Sequence, residues 1–188
     1  MQRINKDTSD LDLYKRIAKG KAEGERAFAE LYARFGNRVF MYCVKILGDD
    51  RDAQDVYQET FIRFHRAAQK EYEVQNVPSY LFKIARNLCY NHRRDKKQFL
   101  DLEDFSFSSR DESYERRDLL NLIETALGLL DIKYREAFVL KEYEGMSYSQ
   151  IAEITGDTVP ALKNRVWRAK ERIRSILSPY LADIEKFQ

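Results

Sequence analysis

The sequence predicts an all-α protein made of two small helical domains joined by a flexible acidic linker. Three observations lead there. Apolar residues recur at helical spacing along nearly the whole chain, with no convincing run of alternating strand residues. Gly and Pro are scarce, seven and three in 188 residues. Charge falls in blocks: Lys83 to Leu100 has six basic residues against Asp95, and Leu162 to Leu177 has six against Glu171. Between them, Asp101 to Asp118 carries seven acids against three arginines. Two basic helices flanking an acidic segment point to two contacts with a polyanion, although ordinary solvated helix faces have similar compositions.

The elements follow in order. A short helix is expected over about Leu11 to Lys19. A long one follows from about Glu23 to Leu47, with Phe28, Leu31, Phe35, Tyr42 and Ile46 on one side and Gly48 as its stop. A third runs from about Asp50 to Gln69, and Lys70 to Val77 lacks periodicity and reads as a loop. Pro78 sits in the first turn of a fourth helix, where its missing N–H is tolerated, and this helix reaches about Lys97. Together these form a first domain over residues 10–97. Residues 98–116 are the linker, rich in Ser and acids. The second domain, residues 117–178, holds helices at about Arg117 to Leu130, Ile132 to Glu144, Tyr148 to Thr155 and Val159 to Leu177, punctuated by Gly145, Gly156 and Pro179.

Several function classes fall away. No apolar run approaches the roughly 20 residues of a membrane span, and Met1 to Asp10 has no apolar signal core, so a soluble, cytoplasmic protein without membrane insertion is expected. Cys43 and Cys89 each sit in an apolar helical pattern and read as buried thiols. His65 and His92 are too isolated for a metal site, so no metal or cofactor is expected, and no residue set forms a nucleophile with its base, so no enzyme is expected.

The strongest local signal is Ser147 to Lys170. Ser147 with Gln150 forms a capping box, Gly156 allows a sharp turn, and Thr158 can cap a second helix that tolerates Pro160 in its first turn. Helix, short turn and helix make a helix-turn-helix. Leu162, Val166, Ala169, Ile173 and Leu177 form its buried stripe. Pro160, Asn164, Trp167 and Arg168, flanked by Lys163 and Arg165, lie on the opposite face, a surface suited to a major groove, where Asn can pair with adenine and Arg with guanine. For Trp167, burial against a neighbour and contact with DNA are equally compatible with the sequence.

In the first domain, Asp52, Asp55 and Glu59 share a helix face with Gln58 and Ile62 beside them, a mixed acidic and apolar surface that suits a basic protein or is simply solvated. The inward stripe of that helix is Ala53, Val56, Tyr57, Thr60, Phe61 and Phe64. On the fourth helix, Leu81, Ile84, Ala85 and Leu88 face inward, while Lys83, Arg86, Asn87, Tyr90, Arg93, Arg94 and Lys97 face outward. Cations interleaved with Tyr and Asn suit DNA whose strands are opening.

These segments, in this order, resemble the sigma factors of bacterial RNA polymerase, specifically the extracytoplasmic-function group of the sigma-70 family. D-A-Q-D-V-Y-Q-E-T-F, from Asp52, is similar to the polymerase-binding segment of sigma region two. Y-L-F-K-I-A-R-N-L, from Tyr80, is similar to its helix for promoter melting and minus-ten reading. R-E-A-F-V-L-K-E-Y-E-G-M-S-Y-S-Q-I-A followed by L-K-N-R-V-W-R-A-K resembles region four. The chain departs from the family at Asp131 and Ile132, where Leu-Pro is common, at Pro160 and Ala161, where Gly-Thr is usual, and at Tyr80, where Trp is frequent. The resemblance implies a transcription initiation factor with core RNA polymerase, promoter DNA and an anti-sigma factor as partners. Asp52, Asp55, Gln58, Glu59 and Ile62 would meet the polymerase. Tyr72, Asn76, Tyr80, Lys83, Arg86, Asn87, Tyr90, Arg93 and Arg94 would meet the minus-ten element, and Pro160, Ala161, Lys163, Asn164, Arg165, Trp167 and Arg168 on the second helix of the helix-turn-helix the minus-thirty-five element. The residues alone also fit a stand-alone helix-turn-helix regulator or a helical adaptor that binds only proteins.

Overall fold

The computed structural model describes residues 8–19, 21–99 and 116–185. Among these there are eight α-helices and no strand: α1 (Asp10–Arg16), α2 (Lys21–Leu47), α3 (Asp50–Gln69), α4 (Val77–Phe99), α5 (Arg116–Gly128), α6 (Ile132–Phe138), α7 (Tyr148–Thr155) and α8 (Val159–Glu185). The chain divides into two compact units, Met1–Asp101 and Leu102–Gln188. The first contains α1 to α4 and the second α5 to α8. Of the expected linker, residues 100–115 lie outside the described residues, while 98 and 99 extend α4.

In the first unit, α2 and α3 pack side by side with α4 against both. The Ser9 side chain caps α1 by accepting from the Asp12 N–H at 3.1 Å. The expected first helix does not stay α-helical: it tightens into a 3-10 turn over Ile17–Lys19. Gly24 of α2 faces that turn so closely that a Cβ would stand 2.5 Å from the Ile17 carbonyl oxygen. Arg34 ties the start of α1 to α2, with Nη1 donating to Asp10 at 2.7 Å and to the Thr8 carbonyl at 2.9 Å. Gly48 ends α2 at φ +75°, and Asp49 caps α3 by accepting from the N–H groups of Arg51 and Asp52. The core contains Leu13, Leu31, Phe35, Tyr42, Cys43, Ile46, Phe61, Phe64, Leu81, Phe82 and Cys89, all buried. Phe28 remains half-buried. The ring of Phe82, which the sequence pattern did not assign inward, meets Tyr42 edge-on at 5.4 Å.

The second unit is built on α8. Its residues Ala169, Ile173 and Leu177 pack against Ala126, Leu127 and Leu130, with Tyr134 and Phe138 at the margin. Asp131 caps α6 by accepting from the Lys133 N–H at 3.0 Å. Arg135 is buried and donates to the carbonyls of Gly128 and Leu130, placing a cation on the C-terminal end of α5. The expected single helix from Ile132 to Glu144 instead opens after Phe138 into a π turn over Val139–Tyr143. Each residue then advances less around the axis, and the adjacent Val139 and Leu140 are both fully buried.

Pro179 does not stop α8, which continues to Glu185 with the proline inside it. A proline in that place leaves the carbonyl four residues back without its usual donor. The Ser178 hydroxyl donates to that carbonyl, on Ser175, at 3.3 Å.

Gly24→Ala forces the α2 backbone and the Ile17 turn apart. It should destabilise the first unit by about 1–3 kcal/mol, read as a lower denaturation midpoint in urea.

Candidate functional site

The structure sorts the sequence candidates among three of the surfaces that the described residues present. On α3, Ala53, Val56, Tyr57, Thr60, Phe61 and Phe64 are all buried as expected. Asp55 and Gln58 are exposed, and Ile62 presents an aliphatic side chain 44% exposed in their midst. Glu59 is half-exposed and accepts from Arg63 Nε at 2.6 Å.

Asp52 differs from the others on that face. Its Oδ2 accepts from Lys96 Nζ at 2.8 Å and lies 3.1 Å from His92 Nε2, so it joins the start of α3 to the end of α4. Burial, the largest single influence, works against ionisation of this carboxyl. The contacts with Lys96 and His92 together outweigh it and hold the carboxyl below its ordinary range. The same contact raises the Lys96 ammonium above its usual range.

The second surface is the loop over residues 70–76 and the first half of α4. Tyr72, 58% exposed, stacks on Tyr80 with ring centroids 5.4 Å apart and planes 20° from parallel. Tyr80 also packs against Phe64 and, edge-on, against Tyr14, and burial followed by the nearby Tyr72 raises its hydroxyl pKa. Glu71 takes a left-handed conformation at φ +54°, unusual for a residue with a side chain. Asn76 accepts from the Ser79 N–H at 2.8 Å, so its side-chain oxygen caps α4. Lys83 and Asn87, about one turn apart, are exposed as expected.

The remaining α4 candidates are less free than an outward face implies. Arg86 lies over the Tyr90 ring at 4.5 Å, and both are half-buried. Arg93 turns back to donate to the Ile46 carbonyl at 3.2 Å, near the C-terminal end of α2. Arg94 is exposed beside Asp95. The side chain of Lys97 lies outside the described residues.

The third surface is the helix-turn-helix. Both halves of the capping box form: Gln150 N–H donates to Ser147 Oγ at 3.2 Å, and the Ser147 N–H donates to Gln150 Oε1 at 2.9 Å. Gly156 turns the chain at φ +77°, and the Thr158 hydroxyl accepts from the Ala161 N–H at 3.4 Å. Leu162, Val166, Ala169, Ile173 and Leu177 are buried, and Pro160, Lys163, Asn164, Trp167 and Arg168 are exposed. Trp167 stands 63% exposed, which rejects its burial against a neighbour. Ala161 is half-buried.

Arg165 is drawn back across the turn. Its guanidinium grips the Asp157 carboxylate with two bonds, Nη1 to Oδ2 and Nη2 to Oδ1, the latter 2.8 Å. The pair staples the turn to α8. Two cations lie near the ring of Tyr148, Lys141 Nζ at 5.0 Å and Lys163 Nζ at 5.9 Å from its centre.

Two family models match this chain: sigma-70 region 2 over residues 31–99 and sigma-70 region 4 over residues 120–173. The RNA polymerase sigma-H factor of Pseudomonas aeruginosa is 31% identical, with 93% of this chain and 96% of that protein covered. The chain belongs to the sigma-70 family. It falls in the extracytoplasmic-function group: the ECF RNA polymerase sigma factor SigW of Bacillus subtilis is 27% identical over 89% of this chain and 98% of that one. Among solved structures, the sigma factor RpoE in complex with the anti-sigma factor NepR from Bartonella quintana matches with a TM-score of 0.70 and 27% identity, covering 80% of this chain and 96% of that one. The first unit of this sigma factor therefore contains region 2 and the second contains region 4. No described helix is long and apolar enough to cross a membrane.

The placement of α1 was not legible in the sequence. Tyr14, Lys15 and Lys19 line a cleft of ≈ 570 Å³ against residues 71–75. No spacing in the sequence connects that helix with a loop more than fifty residues later.

The Asp52 contacts make stability depend on pH. A carboxyl whose folded pKa is depressed contributes stability above its unfolded pKa of about 4, and that contribution is lost as pH falls through the folded value. Asp52→Asn should lower stability by about 1 kcal/mol at neutral pH, and the gap from wild type should close on acidification. Thermal melts of both proteins from neutral pH down to pH about 3 measure this.

Proposed function

We propose that this sigma factor docks on core RNA polymerase through the exposed part of α3, opens the promoter with the loop over residues 70–76 and α4, and reads the minus-thirty-five element with α8. The observation that carries this reading is the sorting of side chains on α8. The apolar stripe is wholly buried and Arg165 is committed to the turn, so Lys163, Asn164, Trp167 and Arg168 are left together on one exposed face. Asn164 and Arg168 lie about one turn apart and can reach base edges. Lys163 suits phosphate, and the Trp167 ring suits an apolar base edge.

On α3, the contact centres on Asp55, Gln58, Glu59 and Ile62, an aliphatic anchor within an acidic rim. Asp52 supports that face from the side by holding α4. Near the minus-ten element, Lys83 and Asn87 meet the opened strand, and the Tyr72–Tyr80 stack offers an aromatic platform for an unpaired base. Asn76, Arg86 and Arg93 shape this surface. A separate anti-sigma factor regulates the protein in the cytoplasm; the likeness to a sigma factor solved with its anti-sigma factor supports this.

Transcription reconstituted with core polymerase on a pool of random promoters tests the whole reading. It should yield transcripts from a subset sharing two spaced elements, and none without the factor. Asp55→Arg combined with Glu59→Arg should weaken core binding by on the order of 2 kcal/mol in a fluorescence titration, with helicity unchanged.

The recognition helix makes a sharper forecast. Asn164→Ala or Arg168→Ala should relax preference at particular minus-thirty-five positions, by about 1–3 kcal/mol for each lost bidentate pair. Arg172→Ala should weaken all promoters alike, with an effect that shrinks as salt rises. Promoter selection repeated for each variant reads out both patterns.

A further inference from the structure

The two parts of α4 are held by different means. Up to Cys89 the helix is seated in the core, with Leu81, Phe82, Ala85, Leu88 and Cys89 buried. Beyond Cys89 none of its described side chains is buried. That stretch carries Arg93, Arg94 and Lys96, and polar contacts tie it to the neighbouring helices. Arg93 donates to the Ile46 carbonyl of α2. Asp52 of α3 accepts from Lys96 at 2.8 Å and lies 3.1 Å from His92.

The position of Asp52 suits this grip. His92 and Lys96 are four residues apart, so they stand one above the other on a single face of α4, and one carboxylate reaches both. Asp49, the cap of α3, adds to the pull on Lys96. The Asp52 side chain is only 22% exposed, whereas Asp55, three residues on, is exposed. The loop over residues 70–76 already joins the opposite ends of α3 and α4, so Asp52 fastens the pair at its second end.

We propose that Asp52 is a positioning residue for promoter opening and not a polymerase contact: through Lys96 and His92 it fixes the basic end of α4 against the helix that docks on the polymerase. The proposal rests on the division of labour given above, α3 for the polymerase and α4 for the promoter. It separates two residues that the sequence groups with others. Asp52 leaves the acidic docking face, and Lys96 becomes a structural cation whose charge is matched within the protein. Releasing this latch frees the last turns of α4 to shift, so that Arg94 no longer meets the opening strands in one place.

The test uses holoenzyme made from the full chain and core polymerase, on a promoter that the wild type selects from a random pool, well below the melting temperature of each variant. With Asp52→Asn, core affinity in a fluorescence titration should stay within about twofold of wild type, while open complex at saturating core falls about three- to fivefold, the loss of one charge-assisted contact between partly exposed groups. Permanganate reactivity of unpaired thymines reports opening. Asp52→Glu keeps a carboxylate within reach of Lys96 and should recover most of the loss. Lys96→Gln should lower opening by no more than Asp52→Asn does, and the double variant should be no worse than Asp52→Asn alone, because the two residues act through each other.

A fall in core affinity matching that of Asp55→Arg with Glu59→Arg makes Asp52 a polymerase contact and overturns the proposal. Asn87→Ala runs alongside: if it impairs opening and Asp52→Asn does not, the reading of α4 stands and the latch falls, and if neither does, both fall. Should Asp52→Asn not fold, Lys96→Gln carries the test through the salt dependence of promoter binding. A slope equal to wild type, with opening reduced, supports the latch. A slope smaller by about one means that Lys96 touches a phosphate itself, and that result, like additive losses in the double variant or unchanged opening, overturns it.

Discussion

A helical unit of about a hundred residues or fewer has little apolar area to bury, so each long helix must give one complete face to the core. In the second unit that demand falls on α8, whose buried stripe runs from Leu162 to Leu177. The opposite face of the same helix is then held at a fixed angle to the rest of the unit. Asn164 and Arg168 occupy that face because Leu162 and Val166 occupy the other. In the first unit the same constraint acts on α3, where burial of Val56, Tyr57, Phe61 and Phe64 turns Asp55, Gln58 and Ile62 outward.

Polar locks then orient what the cores have packed. The Asp157–Arg165 pair spans the turn of the helix-turn-helix, and Asp52 joins α3 to α4 through Lys96. Arg93 and Arg135 each place a cation on a carbonyl at the C-terminal end of another helix, Ile46 of α2 and Gly128 of α5 respectively. Such contacts contribute modestly where solvent screens them. Their larger effect is geometric, since two-point contacts such as Arg165 on Asp157 fix the direction in which an element leaves a turn.

These locks explain why a count of charges overstates a binding surface. The basic stretch on α4 reads as a row of cations aimed at nucleic acid, yet Arg93 works inward and Arg86 rests on Tyr90. The basic stretch on α8 likewise gives up Arg165 to the turn. What remains exposed is smaller, with Lys83, Asn87 and Arg94 on one unit and Lys163, Asn164, Trp167 and Arg168 on the other.

The sequence by itself determined the all-α class, the two helical regions and the helix-turn-helix, because these rest on signals a few residues apart. Ser147 with Gln150, Gly48, Gly156 and Asp131 act within a turn of where they stand, and the apolar stripes repeat every three or four residues. The tertiary structure alone decided the partners of Asp52 and Arg93, since Lys96 lies 44 residues from the first and Ile46 lies 47 from the second. It also decided that Trp167 is exposed, that α8 passes through Pro179 with help from Ser178, and that Tyr14 meets the 71–75 segment across a cleft. Each of these depends on how helices cross or on what lies beside a residue in space, and local periodicity carries no information about either.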